Sequence, residues 1–249
     1  MSDALLQIRG LKVVFDGFTA LDGVDLTVGH GELRFLIGPN GAGKTTLIDV
    51  VTGLTRPAAG SVSFAGTELT GRREHRIVRL GIGRTFQTSV VFEELTVLEN
   101  LDLAAGFRRP LPTLLLRRRG VPDAVAAALD TIGLGALADR PAGVLSHGQR
   151  QWLEIGMLIA QRPRLLLLDE PVAGMGRGER ERTGELLTEI AREHTVVVVE
   201  HDMEFLRRYA SQVTVLHEGR VLVEGDVATV QADPRVQEVY LGRGREEAA

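Results

Sequence analysis

Residues 38–46 read Gly38-Pro39-Asn40-Gly41-Ala42-Gly43-Lys44-Thr45-Thr46 and fill the pattern G-x-x-x-x-G-K-[ST] without a mismatch. Residues of these types at this spacing can cradle the phosphates of a nucleotide. Glycines at 38, 41 and 43 let the backbone bend and bring N–H groups onto phosphate oxygens, and the N-terminus of a following helix adds partial positive charge. Lys44 would bring a full charge to the β- and γ-phosphates, and the Thr45 hydroxyl suits Mg²⁺, which prefers hard oxygen ligands. The plain alternative is a glycine turn ahead of a helix. Lys44 and Thr45 in the required places, behind a short apolar run, weigh against it.

A second group of chemistry-bearing residues lies far along the chain. Leu165-Leu166-Leu167-Leu168-Asp169-Glu170, bounded by Pro163 and Pro171, is apolar and too short for most helices, hence a fully buried strand with two carboxylates at its end. Ligands of open parallel sheets bind beyond the carboxyl ends of the strands, so both acids can face phosphates held by the first loop. Asp169 would then hold Mg²⁺ through its water shell, and Glu170 would orient or deprotonate an attacking water. Capping of the next helix is the competing role for the pair. Thr195 to Glu200 reads as the next buried strand, with His201 just past its end. His201 is either a surface residue or, in the same cleft, a hydrogen-bond donor to a γ-phosphate. Leu145-Ser146-His147-Gly148-Gln149 opens a helix with an S-x-x-Q capping pair; its free N–H groups also make it a candidate second phosphate site.

These residues need strands and helices to position them. Glu32 to Ile37 suits a buried strand and Thr45 to Val51 the helix after the loop, so strand, loop and helix follow in the required order. Ahead of them, Gln7 to Phe15, a turn at Asp16-Gly17, and Val24 to Val28 alternate as antiparallel strands. Phe15 stands where its ring could stack on adenine or could serve as core, with Phe18 as the fallback. Ser61 to Phe64 is a further strand, about 71–80 a basic helix, and Gly81 to Gln87 a strand with Gln87 at its end. From Thr88 to about Gln161 the pattern turns helical. Thr96 and Glu99 form a capping box, and Pro122 suits the first position of a helix carrying Val125, Leu129 and Ile132. Between them, 106–120 holds five arginines around Leu111 to Leu116, a solvated loop or hairpin or a surface for lipid or a partner. A hairpin is expected around Glu218-Gly219, with 242–249 frayed.

A chain of 249 residues sits near the upper limit for one core, which predicts one domain with lobes. It has no cysteine, so disulfides, thiolate metal sites and a cysteine nucleophile are excluded, in keeping with a reducing cytoplasm. A net charge of −4 points away from nucleic acid. Met1-Ser2-Asp3-Ala4 lacks the features of a signal peptide, and no apolar run approaches the roughly 20 residues needed to span a bilayer. A soluble protein that meets the membrane through a partner is expected.

Taken in order, these residues resemble the ATP-binding subunits of ABC transporters over nearly the whole chain. The resemblance implies an α/β fold: a P-loop NTPase (RecA-like) core at about 1–87 and 162–249, with an antiparallel β subdomain, and a helical subdomain at about 88–161. Gly38 to Thr46 looks like the Walker A motif, Gln87 like the Q-loop glutamine, which also reaches the metal, and Leu145 to Gln149 like the signature. Leu165 to Asp169 looks like the Walker B strand, Glu170 like its catalytic glutamate, and His201 like the switch histidine. ATP and Mg²⁺ are implied. In that family two such subunits pair head to tail, self or paralogue, so that Ser146, Gly148 and Gln149 of one would cover the γ-phosphate held by the other. Also implied are two membrane permeases, indirectly a periplasmic or extracellular binding protein, and a place at the cytoplasmic face of the membrane.

Two departures narrow the resemblance. His147 stands where the signature usually has Gly, and Pro171-Val172-Ala173-Gly174-Met175 replaces the usual Ser/Ala-Leu-Asp ending of the loop after Glu170. Both resemble the hydrophobic-amino-acid-uptake branch, and most of all its bacterial urea-importer subunit. Urea uptake is therefore the expected function, with branched-chain amino acid uptake as the runner-up. The absence of a long coiled-coil insertion between Gln87 and Leu145, and of a second phosphate-loop pattern, argues against DNA-repair and translation-factor relatives. Intact Glu170 argues against a module that binds nucleotide without turnover.

Overall fold

Nearly unbroken apolar runs and alternating ones sort the strands of this chain into two different sheets. The computed structural model describes residues 4–85, 91–106 and 120–241. The first hairpin pairs β1 (Ala4–Phe15) with β2 (Phe18–Gly29) across Asp16 and Gly17, both in the left-handed region as a two-residue turn of this twist requires. Next come β3 (Leu33–Ile37), helix α1 (Lys44–Thr52), β4 (Ala59–Phe64), β5 (Thr67–Glu68), α2 (Glu74–Leu80) and β6 (Ile82–Arg84). Among the described residues, the α-helices α3 (Val97–Ala105), α4 (Asp123–Ile132) and α5 (His147–Ala160) follow. The chain then alternates as β7 (Leu165–Asp169), α6 (Arg177–Ile190), β8 (Thr195–Val199) and α7 (Met203–Tyr209). It ends in β9 (Gln212–His217), β10 (Arg220–Gly225), α8 (Val227–Ala232) and α9 (Pro234–Leu241).

One sheet is antiparallel with order β2-β1-β4-β5; the other has order β10-β9-β3-β8-β7-β6, parallel except for β10. The parallel sheet is covered on both faces, which is why its strands read as continuous apolar runs. Leu36, Leu165, Leu167, Val197 and Val199 pack on one side with α1 and the antiparallel sheet. Phe35, Ile37, Leu166, Leu168, Val196 and Val198 pack on the other against Leu186, Leu187 and Ile190 of α6 and Phe205 of α7. A third cluster, with Val97, Leu101, Val125, Ile132 and Leu153 among its members, joins α3, α4 and α5.

The structure moves three expected boundaries. β2 begins at Phe18 instead of Val24; register shifts opposite Leu11 and Val13 break its alternation, so only pairing with β1 reveals its full length. The basic helix begins at Glu74 because Gly71 is left-handed and Arg73 extended. Pro122 caps α4 from outside, its ψ of 145° being extended, and Asp123 is the first helical residue.

Candidate functional site

Strand order alone gathers the chemistry at one end of the parallel sheet. β8 lies between β3 and β7, with Leu36 opposite Val199 and Val199 opposite Asp169. The glycine loop leaving β3, Glu200 and His201 leaving β8, and Asp169 with Glu170 at the end of β7 are thus neighbours. β6 adds Arg84 and Thr85 from the far side of β7, where Thr85 N–H donates to Leu167 O.

The loop is held from beneath. Ala42 N–H donates to Pro39 O at 3.1 Å, and Ala42 O accepts from Gly219 of the β9–β10 turn at 3.2 Å. Gly219 O accepts in turn from Asp22 of β2, which ties both sheets to the loop. Gly43 has φ 101°, and a Cβ there would lie 2.7 Å from Ala20 O, so the loop can approach β2 this closely only as glycine. Lys44 is 8% exposed, and its Nζ donates to Gly38 O at 2.7 Å and Pro39 O at 3.0 Å. Gly38 and Ala42 are buried and Pro39, Gly43 and Thr46 half-buried, while Asn40, Gly41 and Thr45 face solvent. The open face of the loop therefore carries Asn40, Gly41 and Thr45.

Asp169 is buried, and its N–H donates to Thr85 Oγ1 at 3.1 Å. Arg84 Nη2 is 3.8 Å from Asp169 Oδ2, and Arg84 also pairs with Asp49 of α1, so one guanidinium spans the acid and the helix behind the glycine loop. Burial raises the Asp169 pKa; Arg84 and Lys44 oppose the rise, while Glu170 and Asp49 add to it. Glu170 sits at φ 49°, a conformation a non-glycine residue adopts at a cost of about 1–2 kcal/mol. Its N–H donates to Val199 O, and its Oε1 lies 3.4 Å from His201 Nδ1, with both side chains partly open to solvent.

Glu200, read from the sequence as no more than the last residue of a strand, is 2% exposed. Its Oε1 accepts from Val172 N–H at 3.3 Å and its Oε2 from His201 N–H at 3.1 Å. Burial raises its pKa, and backbone N–H groups of Val172, His201 and Asp202 work against the rise. The available signal was a lone acid ending a run of four valines.

Ser146 caps α5 with the full S-x-x-Q box: its side chain accepts from Gln149 N–H, and Gln149 Oε1 accepts from Ser146 N–H. Ser146 Oγ also donates to Glu179 Oε1 at 3.2 Å, and a Cβ on Gly148 would lie 2.5 Å from that same oxygen. Glu179, at the start of α6, is thus a neighbour of this turn that sequence reasoning missed. His147 Nε2 is 3.0 Å from Ala173 O, so the two segments that depart from the usual pattern touch one another.

Phe15 and Phe18 are Cα partners at the hairpin tip, 46% and 65% exposed, so neither is core. Ala20 and Leu21 of the same hairpin pack beside Gly43, which brings the tip near the glycine loop. Gln87, Thr88, Ser89, Val90 and the arginine-rich 107–119 lie outside the described residues. Among those described, no helix is long and apolar enough to cross a membrane.

Comparison with known proteins identifies the family. The family model described as ABC transporter matches residues 21–173, and one described as branched-chain amino acid ATP-binding cassette transporter matches 220–246. The high-affinity branched-chain amino acid transport ATP-binding protein BraF of Pseudomonas aeruginosa is 36% identical over 254 residues, covering 97% of this chain and 99% of its own. LivG of Escherichia coli, named for the same transport, is 36% identical over 97% of this chain and 99% of its own. The crystal structure of the ADP conformation of an ATP-binding cassette of an ABC transporter superposes with a TM-score of 0.83 at 33% identity, covering 96% of this chain and 99% of that one. A glycine loop, two acids and a histidine at one sheet end, on a chain matched along its length by such cassettes, have one reading: the chain belongs to the ABC transporter family as an ATP-binding subunit, an ATPase coupled to transport.

Proposed function

We propose that the chain hydrolyses ATP at the end of β3, β8 and β7 and powers branched-chain amino acid uptake. The observation that carries the chemistry is the convergence of the glycine loop, Asp169, Glu170 and His201 on adjacent strand ends, with Glu170 and His201 3.4 Å apart. Residues 38–46 would bind the phosphates through backbone N–H groups, and Lys44 would turn its charge to the β- and γ-phosphates. The exposed Phe15 would stack on adenine. Thr45 and Asp169 would supply hard oxygens that fit Mg²⁺, Gln87 would be a further ligand, and the buried Asp169 carboxylate would gain from a cation beside it. Bound there, Mg²⁺ would neutralise charge on the phosphates. Glu170 would accept a proton from the attacking water, and His201 would hydrogen-bond the γ-phosphate.

The signature turn would act on a second cassette, self or paralogue, in a head-to-tail dimer, with Ser146, Gly148 and Gln149 covering the γ-phosphate of the partner. Such a dimer would sit at the cytoplasmic membrane face under two permeases fed by a binding protein. The helical unit at about 88–161, set apart by its own apolar cluster, would rotate against the core and transmit the motion.

For the cargo, the support is the relatives named for branched-chain amino acid transport and the matched segment at 220–246. The second reading, urea, rests only on the resemblance of His147 and the Pro171-Val172-Ala173-Gly174-Met175 loop to the urea-importer subunit. Deleting the gene and measuring uptake of labelled leucine and labelled urea at low external concentration separates them. Loss of leucine uptake with urea uptake intact is expected. The opposite pattern would give the assignment to urea.

A further inference from the structure

Glu200 is a buried carboxylate that the proposed hydrolysis does not use, and both of its oxygens are spent on backbone. Val172 belongs to the loop after Glu170, and His201 is the residue after Glu200 itself. The loop is a tight turn, with Ala173 N–H donating to Glu170 O at 3.1 Å and Val172 buried beneath it. Glu200 N–H donates to Leu36 O, two residues ahead of the glycine loop. One residue therefore stands between the three segments that carry Lys44, Glu170 and His201.

We propose that Glu200 is a positioning residue: its carboxylate clamps the loop after Glu170 to the backbone of His201, and so sets the meeting of the Glu170 and His201 side chains. This rests on the hydrolytic roles given above to those two residues. Backbone N–H groups orphaned in a dry interior are costly, so replacing the carboxylate releases the loop instead of leaving it in place. Glu170 is held at a left-handed φ that its surroundings must enforce, and the turn carrying Val172, closed by Ala173 N–H on Glu170 O, is part of those surroundings. A glutamine is isosteric with Glu200 but offers one acceptor oxygen and turns an N–H₂ toward the second N–H, so it breaks half of the clamp. An aspartate keeps both acceptors on a shorter arm.

The test uses the full chain with Glu200→Gln, Glu200→Asp and, as a control, Glu170→Gln. ATP hydrolysis gives kcat and KM, and hydrogen exchange is read at the Val172 and His201 amides. Glu200→Gln is expected to lower kcat by about 10- to 100-fold, the scale on which misplaced catalytic groups are felt, with KM unchanged. The two amides should exchange faster, and Glu200→Asp should fall between Glu200→Gln and wild type in both readouts. Wild-type kcat and wild-type exchange in Glu200→Gln would overturn the clamp, as would a kcat loss matched by a parallel rise in KM. If Glu200→Gln does not fold, Glu200→Asp decides: lowered kcat at constant KM with faster exchange supports the clamp, and wild-type values of both refute it. Glu170→Gln with full turnover would instead overturn the hydrolytic reading, while exchange at Val172 and His201 still reports on the clamp alone.

Discussion

Gly43 carries the sharpest steric demand at the site, because a Cβ there would meet Ala20 O at 2.7 Å and Leu21 Cδ2 at 2.6 Å with φ at 101°. Ala20 O is backbone and cannot step aside. Gly43→Ala is expected to cost about 1–3 kcal/mol through strain and overpacking together. Urea denaturation reads this as a lowered midpoint; an unmoved midpoint would mean that the loop and β2 are not in the contact described. Lys44 differs, since its Nζ is occupied by Gly38 O and Pro39 O, and its charge is the feature that phosphates would claim. Lys44→Ala should abolish ATP-dependent function, and titration with a fluorescent ATP analogue should reveal weakened binding. Affinity and turnover both close to wild type would contradict the role of that charge.

At the scale of elements, α5 and α6 are pinned by the only tryptophan in the chain, whose Nε1–H donates to Thr183 Oγ1 at 2.9 Å. Thr183→Val keeps the shape but leaves that N–H without its acceptor. A loss of about 1–3 kcal/mol is expected, followed by Trp152 emission during unfolding. An unchanged midpoint would show the pin to be idle. The elements that were legible in the sequence share a local cause. β3, β7 and β8 declare themselves because both faces are covered, and the boxes at Thr96–Glu99 and Ser146–Gln149 because side chain and backbone meet three residues apart. The glycine loop, the two acids and His201 were legible because strand ends carry them. What was not legible depends on contacts made outside the element itself. The first half of β2 exists through pairing with β1, Glu179 reaches Ser146 across 33 residues, and Glu200 reaches Val172 across 28. The left-handed turn at Glu170 has no local signature, as glutamate does not advertise it.

At the scale of the molecule, each chain presents the two features proposed above to bind phosphate at different places: the glycine loop between the sheets, and the capped start of α5 packed on α6. Serving one γ-phosphate from both takes two chains, so ATP should drive Glu170→Gln into dimers, alone or with a paralogue. Sedimentation showing monomer alone at saturating ATP, with every partner tried, would break the head-to-tail arrangement. The sheet end itself is tested most directly by steady-state ATP hydrolysis of wild type against Glu170→Gln, with nucleotide binding measured in parallel. Removing a positioned general base is expected to lower kcat by about 10²- to 10⁴-fold while ATP still binds. Hydrolysis at the wild-type rate in Glu170→Gln would contradict the assignment of Glu170 as the base.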